Sequence, residues 1–114
     1  MPTIIIQEEN ITEEERNSLL MEIKKFLVEL RPNSVQEVEK LNDYGYYRHY
    51  RNFLGIDSEC LASAIDEFED YVLDKLASTE LWGKVQLTGV DVNTDKEHKL
   101  IFTVKIELHY VYRK

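Results

Sequence analysis

The stretch Leu100-Ile101-Phe102-Thr103-Val104-Lys105-Ile106-Glu107-Leu108-His109-Tyr110-Val111-Tyr112 alternates almost without fault. Leu100, Phe102, Val104, Ile106, Leu108, Tyr110 and Tyr112 point one way. Ile101, Thr103, Lys105, Glu107, His109 and Val111 point the other. A period of two marks a strand with one buried face. At ~3.3 Å per residue such a strand would run ~40 Å, longer than most. The pattern decides the class, a sheet with one wet face and helices on the dry one. It says little about chemistry.

Working back from this strand, Lys84 to Val92 reads as its hairpin partner, joined by the polar loop Asn93–His98. The phase slips inside it. Val85 and Leu87 share one phase, Val90 and Val92 the other, and Gly89 at the slip implies a bulge. Thr3 to Gln7 reads as a short strand, because three consecutive isoleucines favour extended backbone. Its place is expected beside the long strand.

Between the strands the pattern turns helical. Thr12 and Glu15 have capping-box spacing, and Leu19, Leu20, Ile23, Phe26, Leu27 and Leu30 form one apolar stripe, ended by Arg31-Pro32. Ser34 with Glu37 has the same spacing and predicts a short helical turn through Leu41. Asn42-Asp43 would cap a third helix, Tyr44 to Leu54, stopped by Gly55, with Tyr44, Tyr47 and Tyr50 on one face. Asp57 or Ser58 would cap the clearest helix, to about Ala77, with Leu61, Ile65, Phe68, Val72 and Leu76 facing the core. Trp82-Gly83 falls in the connection to the sheet.

The expected fold is therefore α+β, one domain over residues 1–114. A small antiparallel sheet, made of the N-terminal strand and the C-terminal hairpin, carries three to four helices on one face. With 43% hydrophobic residues the chain can bury a core without a metal or disulfide staple. Its single cysteine, Cys60, cannot form an internal disulfide, which fits a reducing, cytoplasmic setting. Cys60 itself is expected as a small, partly buried residue near the start of the acidic helix. The N-terminal isoleucines are too few for a secretory leader, and no apolar run approaches the ~18 residues of a membrane helix.

The formal net charge is −8. Direct nucleic-acid binding and anionic membranes are disfavoured, since both need clustered Lys and Arg. Between Ile56 and Glu80 eight carboxylates face one base, Lys75. Asp66, Asp70 and Asp74 recur every fourth residue, so they line one helical ridge, with Glu67 beside it. Like charges at that spacing cost a few tenths of a kcal/mol per pair, and the chain accepts that cost three-deep; a docking ridge for a basic surface is one reading, and a solvated helix face is the plainer alternative. A second cluster, Tyr44 to Phe53, interleaves tyrosines with Arg48, His49 and Arg51, the residue types enriched in binding hot spots. Burial of its tyrosines on an amphipathic helix is the plainer alternative.

His49, His98 and His109 share no ligand spacing, and no phosphate loop or nucleophile motif occurs. The chain is expected to be no enzyme, with no catalytic residue, cofactor or metal. The function expected is an acidic protein-binding module, an inhibitor or immunity-type factor, docking on a basic, nucleic-acid-binding surface of a partner protein. Asp66, Glu67, Asp70, Asp74, Tyr46, Arg48 and Arg51 are the expected contacts. The alternative is a structural subunit of a phage or secretion-type assembly. The long last strand, left at an edge, would also pair with a second copy as a homodimer.

Overall fold

A computed structural model describes residues 12–30, 34–35, 37–56 and 59–109. Its elements are α1 (Glu13–Glu29), β1 (Ser34–Val35), β2 (Glu39–Asn42), β3 (Gly45–Arg51), a 3-10 turn (Phe53–Gly55), α2 (Leu61–Ala77), β4 (Val85–Thr94) and β5 (Leu100–Leu108). The sheet runs β1-β3-β5-β4, with β2 also paired to β3, and every pairing is antiparallel. Helix α1 packs on β3 and β5, and α2 packs on β4. The α+β class holds. Among the described residues there are two α-helices, not three or four.

β5 is the axis of the molecule. Leu100, Phe102, Val104, Ile106 and Leu108 are all buried, as the alternation requires. They meet Leu20, Ile23 and Leu27 of α1 and Phe68, Val72 and Leu76 of α2 in one core. Phe68 binds the layers: its ring stacks on Phe53 at 4.6 Å and meets Phe102 edge-on at 4.4 Å. Tyr110 and Tyr112 lie outside the described residues.

β4 carries the expected bulge. Leu87 pairs with Ile106, Gly89 with Lys105 and Val90 with Val104, so Thr88 is the extra residue. The slip returns Val90 and Val92 to the dry face, which explains the broken sequence phase. Asp95 shapes the following hairpin, its Oδ1 accepting from the backbone N–H groups of Glu97 and Lys99 at 2.8 and 2.9 Å.

Both long helices sit where their stripes place them. The Glu15 N–H donates to Thr12 Oγ1 at 3.0 Å, and Leu20, Ile23, Phe26 and Leu27 are buried. In α2 the buried set is Ala64, Phe68, Val72 and Leu76. Leu61, the first residue of α2, is 46% exposed rather than a core residue, and borders an open depression at the hairpin end of the sheet with Thr94 and Leu100. Cys60 is the residue before α2 and is exposed, not partly buried. Asp57 and Ser58 lie outside the described residues.

The segment from Ser34 to Leu54 corrects the helical expectation. Ser34–Val35, Glu39–Asn42 and Gly45–Arg51 are strands. Asn42 and Asp43 make a turn, not a helix cap: Asn42 Oδ1 accepts from the Tyr44 N–H at 2.7 Å, and Asn42 pairs across with Gly45. Tyr46, Arg48 and Tyr50 then alternate with Tyr47, His49 and Arg51, and tyrosine suits a strand better than a helix. Gly45 is there for closeness. A Cβ at this position would meet the Ile106 carbonyl oxygen and lie 2.9 Å from Glu107 Cα.

β5 is not an edge strand. β3 takes one side and β4 the other. The place expected for Thr3–Gln7 beside the long strand is therefore filled, and Thr3–Gln7 itself lies outside the described residues. A homodimer through the edge of the last strand loses its geometry for the same reason.

Candidate functional site

The outward face of α2 collects the acidic residues. Asp66, Glu67, Asp70 and Asp74 are all exposed. With the core held by Ala64, Phe68, Val72 and Leu76, a turn of 100° per residue places Asp70 opposite the core and Asp66 and Asp74 to either side of it. The three aspartates rise ~6 Å apart along the ridge. Lys75, the only base within the helix, is turned aside, its Nζ 5.7 Å from the centre of the Tyr71 ring. Tyr71 and Lys75 border the groove toward Phe26 and Glu29 of α1 and Leu30 just after it. Among the described residues no ion pair involves a ridge carboxylate.

The tyrosine and arginine contacts expected beside this ridge do not join it. Tyr46 is half-buried against the core. Arg48 also points to the helix side, donating from Nη1 to the Leu27 carbonyl at 3.1 Å. Arg51 lies with its Nε 3.4 Å from Asp95 Oδ2, at the hairpin end of the sheet. The candidate contacts thus separate into one helix face and three positions on β3.

The other face of the sheet was missed by the sequence reading, since it exists only once Gly45–Arg51 is a strand. Its rows are set by register: Glu39, Tyr47, Lys105 and Gly89; then His49, Thr103 and Asp91. The Tyr47 hydroxyl donates to the Glu39 carboxylate, a bond that holds the phenol above its usual value. His49 Nδ1 lies 3.0 Å from Thr103 Oγ1, and Thr103 is only 9% exposed. Leu41, Tyr47, His49, Asp91, Asn93 and Lys105 surround a shallow depression of about 480 Å³. Strand periodicity in Tyr46–Arg51 was the available signal for it.

The remaining candidates stay apart. His98, in the hairpin loop at φ 64°, and His109, past the end of β5, are both exposed. The Ser63 and Ala62 backbone amides hold the Cys60 thiol below its usual value, as a helix N-terminus does. Among the described residues no group of three His, Cys, Asp or Glu side chains could hold a metal ion, and no helix is long and apolar enough to cross a membrane. Comparison with known protein families, curated proteins and solved structures found no match for this chain.

Proposed function

We propose that this chain is a non-enzymatic protein-binding module, an inhibitor or immunity-type factor, whose α2 docks on the basic, nucleic-acid-binding surface of a partner protein. One observation carries the reading. Asp66, Asp70 and Asp74 occupy a single exposed ridge with Glu67 at its side, while the helix's one lysine is drawn off to Tyr71. A folded chain gains nothing in stability from that arrangement, because like charges at i and i+4 repel. A basic partner converts the same repulsion into attraction and faster encounter. The ridge's rise of ~6 Å per charge gives the partner a regular row of anions of the kind a phosphate backbone offers.

The test begins with the partner captured by the tagged protein at low salt and released at moderate salt, then purified. Affinity is measured for the wild type and for the triple variant Asp66→Lys, Asp70→Lys, Asp74→Lys, with circular dichroism checking the fold. The variant is expected to bind at least about tenfold more weakly, with most of the salt dependence gone. Unchanged affinity would sink the proposal. The alternative reading, a subunit of a phage or secretion-type assembly, rests on the length of the last strand and on the tyrosine cluster. β3 and β4 occupy both sides of that strand.

A further inference from the structure

The depression on the open face of the sheet has two unlike walls. On one side stand Leu41 and Tyr47. Leu41 is the extra residue of a bulge in β2, since Lys40 pairs with Tyr46 and Asn42 with Gly45. The bulge leaves an apolar, half-buried side chain on a face that is otherwise polar. Tyr47 adds its ring, because its hydroxyl is already taken by Glu39. Between the walls lie His49 and Thr103, which share a hydrogen bond.

The other wall is charged. Lys105 is in register with Gly89, and a Cβ at Gly89 would lie 3.5 Å from Lys105 Cδ, so the lysine stem leans over β4. Asp91 is exposed two residues farther along β4, ~7 Å from Gly89, with Asn93 beyond it. Among the described residues the side chains of Asp91, Asn93 and Lys105 take part in no ion pair and no hydrogen bond. An acid and a base thus share one depression without meeting. They are too far apart for a direct bond and close enough for one small ligand to touch both.

Charge and shape together name the ligand. A simple anion drawn to Lys105 is repelled by Asp91, and a simple cation meets the reverse, whereas a dipolar molecule satisfies both. We propose that the depression binds a free α-amino acid with an apolar side chain. Its carboxylate accepts from Lys105 and its ammonium donates to Asp91, through a charge-assisted hydrogen bond of ~2.8 Å at each end. Its side chain crosses Thr103 toward Leu41 and the Tyr47 ring, β3 and β4 standing two strand spacings, ~10 Å, apart. The volume of about 480 Å³ holds one such molecule and water around it. The α2 ridge lies on the other side of the sheet and takes no part.

The probe is L-phenylalanine, titrated into the full-length isotope-labelled chain and followed by amide shifts. Saturable shifts are expected at Tyr47, His49, Asp91, Thr103 and Lys105, with a dissociation constant in the millimolar range or below. N-acetyl-L-phenylalanine lacks the ammonium and L-phenylalaninamide lacks the carboxylate, and each should bind about tenfold more weakly. Asp91→Asn should weaken L-phenylalanine about tenfold and leave the N-acetyl compound unaffected, while Lys105→Met should do the same with the amide as its unaffected partner. The amide spectrum of each variant checks the fold. Shifts that fail to saturate, or that map away from these residues, overturn the proposal. Phenylalaninamide binding as tightly as the free amino acid overturns it too, because a peptide N-terminus would then serve equally well. The triple ridge variant should bind L-phenylalanine as the wild type does, so failure here leaves the α2 reading untouched.

Discussion

β3 and β5 lie side by side, paired from Gly45–Glu107 to Arg51–Ile101, yet they keep their places by different means. On its dry face β5 presents Phe102, Val104 and Ile106, wholly buried and with no polar side-chain atom to satisfy. On the same face β3 presents Tyr46, Arg48 and Tyr50. Tyr50 is as completely buried as Phe102, but its hydroxyl must find a partner. It donates to the Leu27 carbonyl at 2.6 Å, the same oxygen that Arg48 reaches at 3.1 Å. Leu27 sits in the last turn of α1, where helix carbonyls lack partners of their own. One strand is held by area removed from water, the other by a helix end that needs donors.

The strongest test of that contrast is Phe102→Ala. The ring is wholly buried and meets Phe68 at 4.4 Å, so its loss leaves a cavity beneath both helices. Unfolding by urea should show a destabilisation of about 3–5 kcal/mol. A loss below about 1 kcal/mol would mean that β5 is not the strand that carries the core. Gly45→Ala comes next and acts on β3 by closeness rather than burial. The new methyl would lie 2.9 Å from Glu107 Cα, against backbone that cannot swing aside. The start of β3 must move away from β5, at a cost of about 1–3 kcal/mol, and amide shifts should spread from Gly45 to its neighbours on both strands. A neutral substitution would show that β3 is not fixed by its approach to β5.

The same contrast explains what the sequence could reveal. β5, α1 and α2 bury aliphatic and phenylalanine side chains at a regular period, and the order of apolar residues along the chain exposes a period of that kind. The bulge in β4 was legible because Gly89 marked the slip. β3 was not, since Tyr44, Tyr47 and Tyr50 also fall at helical spacing and tyrosine suits either face of an element. What decides its state is non-local: the Leu27 carbonyl 23 residues away and the register with β5. The turn at Asn42-Asp43 was the local sign, and a cap and a turn use the same side-chain chemistry. Legibility of the candidate site divides likewise. The α2 ridge follows from helical spacing, whereas the places of Tyr46, Arg48 and Arg51 depend on Gly45–Arg51 being a strand, which the helical spacing of the tyrosines conceals.

The smallest effect in the series is the most specific to β3. Tyr50→Phe removes the hydroxyl and leaves the Leu27 carbonyl to Arg48 alone, which should cost about 1 kcal/mol at neutral pH. The difference should then narrow in alkali. Burial pushes the Tyr50 phenol well above its ordinary value of 10.0, an upward push that Tyr71 shares and Arg48 opposes. In the unfolded chain the phenol ionises near that ordinary value, while in the folded chain it stays neutral. The stability Tyr50 supplies is therefore complete below the ordinary value and is lost as pH rises above it. Urea midpoints compared at about pH 9 and about pH 11 should show a smaller alkaline loss in Tyr50→Phe than in the wild type. Equal losses would place the alkaline sensitivity elsewhere, and Tyr50 would then be held in β3 by its ring alone, as Phe102 is in β5.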